Sequence, residues 1–219
     1  MCGVIGVYSK QANVDLVQNI FLQTMIRGKH ATGVTYLKNG GLHTIKDGIP
    51  ANLFLRKYDF QEFVNEDGGL YMIGHIRYST SDIRYNQPFS NGAISIAHNG
   101  VLSQEPVDCW EYKTETSNDS EMILRSFEEG HHPLDVFSHK SMAVCSITVD
   151  KIVSGFRNHE RPLYYSRHEG GVYFTSTADI ALRSGLSGTE KCDMFKVYNV
   201  RKGVVIETEM DSHGLYDLQ

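Results

Sequence analysis

The second residue of the chain is a cysteine, and its place at the start of MCGVIGVY gives it unusual chemistry. An initiator methionine is generally removed when a small residue follows, which leaves Cys2 with a free α-amine. An α-amino group titrates near ~8 and a free thiol near ~8.5, so both lie close to neutral pH on one residue. The amine can take the thiol proton, directly or through a water, and later return it to a leaving amine. One residue then supplies nucleophile, general base and general acid. Gly3 beside it is expected to leave room for an approaching substrate. The plainer alternative is an incidental small residue on a first strand.

Four further segments carry polar residues that a simple core does not require. RGKHATG (27–33) combines Arg27 and His30 with two glycines, and GHIRYST (74–80) puts His75, Arg77, Ser79 and Thr80 at the end of an apolar stretch. AHNG (97–100) closes the strand-like AISIA, and SNDSE (117–121) opens a helical stretch. Together they form a kit for an α-amino acid amide. The planar fork of Arg77 suits a carboxylate, and Asp119 suits an α-ammonium. The side-chain amide of Asn99 and the backbone N–H of Gly100 suit the oxyanion formed when a thiolate attacks an amide, where one donor is typically worth about 100- to 1000-fold in rate. Each piece also has an ordinary reading. Asp119 is favoured near a helix start by the helix dipole, Asn-Gly is a common turn dipeptide, and Arg77 is equally explained as a paired surface residue. His75 and His98, beside apolar strands, are read as hydrogen-bonded structural histidines and given no catalytic role.

Short apolar strands are predicted at the N-terminus and around 33–37, 42–46, 70–76 and 93–97, then near 141–149, 152–156, 163–166, 171–176, 196–200 and 203–208. Val14, Val17, Phe21 and Met25 recur at helical spacing, so 14–26 is a predicted helix with Asn13 as its cap and Gly28 as its stop. A second helix is predicted over 118–129, with Asn118 and Glu121 at capping-box spacing and Gly130 at its end, and a short one near 177–184. Many strands with few helices indicate an α+β domain with stacked sheets. No repeat or linker interrupts the chain, so residues 1–219 are read as a single domain.

Composition narrows the class further. Hydrophobic residues at 41% and charged residues at 21% fit an ordinary globular protein and exclude disorder. A net charge of −5 with scattered basic residues argues against a nucleic-acid partner. The apolar runs are shorter than the roughly 20 residues needed to span a bilayer, so no membrane partner is expected. The cysteines Cys2, Cys109, Cys145 and Cys192 show no metal-ligand spacing and no disulfide framework, which points to the cytoplasm.

Taken in order, these segments resemble the class II glutamine amidotransferases, glutaminase domains with an N-terminal cysteine nucleophile. MCGVIGVY is similar to the family's start, RGKHATGV to its arginine-glycine segment and GHIRYST to its strand-end motif. QPFS with ISIAHNG, SNDSE, GFRNHERPLYY, VYFTSTADIAL and VRKGVVI follow in the family's order, so the resemblance spans nearly the whole chain. It is closest in style to the glutaminase domain of amidophosphoribosyltransferase, although Val101 stands where those members have asparagine, and Lys29-His30-Ala31 replaces their Gln-Asp-Ser or Tyr-Asp-Ser.

The resemblance implies an N-terminal nucleophile hydrolase fold, a four-layer αββα sandwich of two stacked antiparallel sheets between helices. It implies that Cys2 is the nucleophile, that Arg77 binds the glutamine α-carboxylate and Asp119 its α-ammonium, and that Asn99 and Gly100 form the oxyanion hole. Arg27 is expected to support the N-terminal region and the backbone near Ser79 and Thr80 to line the substrate pocket. The expected reaction is hydrolysis of L-glutamine through a Cys2 thioester, with no metal or organic cofactor. The chain ends where such a glutaminase domain ends, so a separate synthase chain is the expected ammonia acceptor. Two alternatives remain at this point: an amidase of the same nucleophile type acting on another amide, and a non-catalytic regulatory module of the same fold.

Overall fold

The structure, a computed structural model, describes residues 1–78 and 85–210. The chain opens with β1 (Gly3–Ser9), α1 (Val14–Thr24), β2 (Ala31–Lys38), β3 (Gly41–Asp47), α2 (Ala51–Lys57) and β4 (Leu70–Arg77). The middle comprises β5 (Phe89–Ser90), β6 (Ile94–Val101), α3 (Glu121–Glu128), α4 (Pro133–Val136), β7 (Ser141–Thr148) and β8 (Val153–Arg157). It closes with β9 (Tyr164–His168), β10 (Gly171–Thr175), α5 (Ala178–Arg183), β11 (Thr189–Lys191), β12 (Lys196–Arg201) and β13 (Val204–Glu209).

These strands form two antiparallel sheets. One runs β11-β9-β10-β1-β4-β2-β3 and the other β13-β12-β8-β7-β6-β5. β1 lies inside the first sheet between β10 and β4, and all of its residues are buried. Alternation along a strand sends neighbouring side chains to opposite faces, and β1 uses both. Val4 and Tyr8 enter a core between the sheets with Ile73, Ala97, Cys145 and Phe174. Ile5 and Val7 enter another core with Val17, Ile20 and Phe21 of α1 and Phe54 of α2. On the far side, Met122 and Ile123 of α3 and Leu134 of α4 pack on Ile96, Val144 and Phe156 of the second sheet. The layers are therefore helix, sheet, sheet, helix, the expected sandwich. No helix among the described residues is long and apolar enough to cross a membrane.

Local sequence accounts for much of this. The Asn13 side chain accepts the Leu16 N–H at 3.0 Å, capping α1 as its position predicts. Gly130, at a φ of +79°, ends α3 in a left-handed turn in which the His131 N–H donates to the Ser126 carbonyl at 2.8 Å. α1 tightens into a 3-10 turn over Met25–Arg27, and the helical turns stop at Gly28, which is extended. Two features differ from expectation. The capping box at Asn118 is not formed, because the Glu121 carboxylate accepts from the Glu115 and Thr116 N–H groups at 2.8 Å and pairs with Arg125. The unanticipated helix α2 starts from Pro50, where no side-chain cap marks it.

Phe21 stands at the centre of the first helical layer, its ring edge-on to Phe60 at 5.3 Å. Replacing Phe21 with Ala is expected to cost about 3–5 kcal/mol of stability, measured by chemical denaturation. A loss below about 1 kcal/mol would show that this layer is not closely packed.

Candidate active site

β1 carries Cys2 to the end of the first sheet. The Val4 N–H donates to Ser176 Oγ at 2.8 Å, which fastens the strand to the segment after β10. The Arg27 guanidinium, at the end of the 3-10 turn, donates through Nε to the Cys2 carbonyl at 3.3 Å. Gly3 is needed for a different reason from the one expected. A Cβ there would run into the Thr24 methyl and the Arg27 side chain, so it would crowd the helical layer and not a substrate. Met1 itself is 61% exposed. Its sulfur lies 3.1 Å from Nη1 of Arg161, whose Nε donates to Ser141 Oγ at 2.6 Å.

The Cys2 side chain lines a cavity of about 390 Å³ whose wall also includes His75, Arg77, Tyr78, Gly100 and Asp119. Arg77 closes β4 and is held in place by its Nη1, which donates to the Tyr85 carbonyl at 2.9 Å and to Asn86 Oδ1 at 2.7 Å. Asp119 precedes α3 and turns its carboxylate to the chain after β6, where Oδ2 accepts from the Leu102 and Ser103 N–H groups at 2.6 and 3.1 Å. Asn99 and Gly100 belong to β6 itself and make no turn. Gly100 admits no side chain, since a Cβ would strike the Ser141 carbonyl oxygen. Asn99 is buried, and among the described residues its Nδ2 has no hydrogen-bond partner. Ser79 and Thr80 lie outside the described residues.

A second hollow of about 380 Å³ lies on the outer face of the second sheet, between Phe127, His132, Phe156 and Val197. It contains none of the sequence-predicted site residues. Among the described residues, no cluster of three or more His, Cys, Asp or Glu is placed to hold a metal ion.

Burial pushes the Cys2 thiol above its ordinary value, and its contact with the Tyr78 carbonyl and the charges of the Met1 amine, Arg77 and Arg27 offset this only in part. The thiol is therefore protonated at neutral pH. His75, fully buried, is pushed down to about 3 by burial and by the neighbouring Arg77 and His98, so it is a neutral imidazole. His98 is hydrogen-bonded as expected, to Ser120 Oγ at 2.8 Å and to the Ser141 carbonyl at 3.3 Å. His75 departs from that expectation. Neither of its ring nitrogens has a hydrogen-bond partner among the described residues, although the nearby His98 backbone offsets a small part of the downward shift.

Sequence reasoning gave no role to two residues that the structure places here. Gln87 bonds the His98 backbone through both atoms of its amide, and its signal was the QPFS segment. Arg161 reaches Met1 from the loop after β8; its signal was the GFRNHERPLYY segment, which does not announce a contact across that distance in the chain.

No family model matches the chain. The amidophosphoribosyltransferase of Pseudomonas aeruginosa is 28% identical over 220 residues, covering 83% of this chain and 42% of the relative. That of Pyrococcus horikoshii is 27% identical over 208 residues, covering 83% and 43%. The chain thus spans about two-fifths of the length of the curated relatives it matches. Among solved structures, the glutamine phosphoribosylpyrophosphate amidotransferase from B. subtilis superimposes with a TM-score of 0.77 at 17% identity, over 95% of this chain and 49% of that one. A glutamine aminotransferase class-II domain protein from Silicibacter pomeroyi matches with a TM-score of 0.58 at 11% identity, over 94% and 98%. In sequence the chain is thus similar to amidophosphoribosyltransferases, and in fold to a glutamine phosphoribosylpyrophosphate amidotransferase and a glutamine aminotransferase class-II domain protein, in keeping with the resemblance that its first residues carry.

Proposed function

We propose that this chain is a glutaminase domain that hydrolyses L-glutamine to glutamate and ammonia through a Cys2 thioester. The observation that carries this reading is one cavity in which the Cys2 side chain, the Arg77 cation and the Asp119 carboxylate all take part. An amino acid has opposite charges at its two ends, and these two side chains match them. Arg77 would take the α-carboxylate in a bidentate, charge-assisted contact. The free Oδ1 of Asp119 would face the α-ammonium.

The chemistry follows from the sulfur's surroundings. A thiol raised by burial needs a base, and His75 is too weak a base at a value of about 3. His98 points its ring to Ser120 and Ser141. Removal of the exposed Met1 supplies the base, because Cys2 then carries its own α-amine. That amine takes the thiol proton as the sulfur attacks the amide carbon of glutamine. The electron pair moves to the carbonyl oxygen, which is met by the Asn99 Nδ2 and the Gly100 N–H. The intermediate collapses to a γ-glutamyl thioester, and the protonated amine gives its proton to the departing ammonia. Water then attacks the thioester and releases glutamate and the thiol. We place the ammonia acceptor on a synthase partner. Ammonia escaping to bulk water is protonated and no longer nucleophilic, so delivery needs an enclosed route.

Exposure of the purified protein to a glutamine-like diazoketone should give an adduct on Cys2 by mass spectrometry, and Cys2→Ala should release no glutamate. An unreactive Cys2, or residual glutamate release by Cys2→Ala, would sink the reading. Arg77→Ala should raise the KM for glutamine by about 10- to 100-fold, the loss of one hydrogen-bonded contact to a charge. An unchanged KM would argue for a substrate without an α-carboxylate. In protein that retains Met1, alkylation of Cys2 should titrate above the ordinary cysteine range, since a raised thiol holds less thiolate at neutral pH. A midpoint at or below that range would contradict the buried environment.

A further inference from the structure

The glutaminase reading assigns the oxyanion to Asn99 and Gly100, and the backbone around them shows how one N–H is kept available. Along an antiparallel strand the N–H groups of alternate residues point to the same side. In β6, residues 94, 96, 98 and 100 therefore share one side, and the chain continues this pattern to 102. At Ile94 that side is occupied by neighbouring backbone, its carbonyl accepting the Asn91 N–H at 3.2 Å, and β5 pairs as far as Ile96. β5 reaches no further along β6.

Beyond it, side chains take the places of the missing strand. The Gln87 amide accepts the His98 N–H at 2.6 Å and donates to the His98 carbonyl at 3.1 Å, as a backbone neighbour would. Two residues past Gly100, the Asp119 carboxylate accepts the Leu102 N–H at 2.6 Å. The two clamps are joined, because Gln87 Nε2 also donates to Ser120 Oγ at 3.0 Å. On the other side of the strand, Met142 is the register partner of Gly100. It spends its own N–H and carbonyl on Asn158, at 2.9 and 3.1 Å. Gly100 is thus the one position in this row, among the described residues, whose N–H is left without a partner, and it opens on the cavity.

We propose that Gln87 and Asp119 are positioning residues that complete the edge of β6 on either side of Gly100 and fix its N–H as an oxyanion donor. This rests on the glutaminase reading and adds to it a second task for Asp119. One carboxylate oxygen orders the strand end while the other faces the substrate ammonium, so recognition and catalysis share a side chain.

The two tasks separate in a pair of variants compared with the wild-type protein. Asp119→Asn loses the charge but keeps an oxygen that can accept from Leu102 and Ser103, whereas Asp119→Ala loses both. Both should raise the KM for glutamine. Only Asp119→Ala should also lower kcat, by about 10- to 100-fold, as misplacement of a reacting geometry does. Gln87→Ala should lower kcat with KM within a few-fold. Amide hydrogen exchange gives a readout independent of turnover: the Leu102 and Ser103 amides should exchange faster in Asp119→Ala, by up to about 10-fold, and stay protected in Asp119→Asn. Equal kcat in the two Asp119 variants, or Leu102 protection untouched in Asp119→Ala, would overturn the proposal. Wild-type protein that releases no glutamate would overturn the glutaminase reading and this inference with it. That failure is told apart because the exchange pattern needs no turnover.

Discussion

A central strand that is buried along its whole length fixes where Cys2 can be. β1 is hydrogen-bonded on both edges and packed on both faces, so its end cannot shift without opening two cores at once. Disturbing either core would cost several kcal/mol per large side chain exposed. Cys2 is the residue immediately before this strand, and the Arg27 contact to its carbonyl ties it to the end of the 3-10 turn that follows α1. A chain terminus is ordinarily among the least ordered parts of a domain. Here the packing of residues 3–9 makes it a defined point on a cavity wall. The same strand alternation that sends Val4 between the sheets sends Cys2 to the same face, where Arg77 at the end of β4 also turns.

The charges around this point are cationic, yet they leave the sulfur protonated. Arg27 and Arg77 both act on the thiol, yet burial outweighs them. Arg161 lies near enough to lower Arg27 in turn, beside the burial that is the larger cause. His75, neutral among these cations, adds no charge of its own to the wall. Its two unpartnered nitrogens, with Nδ2 of Asn99 and Nη2 of Arg27, are buried polar groups without partners among the described residues. Such groups are costly in a protein interior and tend to mark places where a bound molecule completes the hydrogen bonding.

Much of this was legible from local sequence where a local interaction decides the outcome. The apolar run CGVIGVY, the helical spacing from Val14 to Phe21 and the Asn13 cap all act within a few residues, and the structure keeps them. The ordered polar segments pointed to Cys2, Arg77, Gly100 and Asp119, which share one cavity. What escaped was decided at a distance. Glu121 had the spacing of a capping residue but is claimed by the Glu115 and Thr116 amides and by Arg125. The stretch of α2 carries no capping side chain and is held by Phe54 in a core shared with α1 and β1. The QPFS segment marked residue 87, but the contact of Gln87 with β6 depends on how β5 stops short, which the segment by itself does not encode.

The proposed reaction requires that Cys2 become the amino terminus. The most direct test is to separate protein molecules with and without Met1, identify each by intact mass, and measure glutamate release from glutamine for both. The trimmed form should turn over and the untrimmed form should be inactive. Full-speed hydrolysis by molecules that still begin with methionine would contradict the claim that the α-amine of Cys2 is the base.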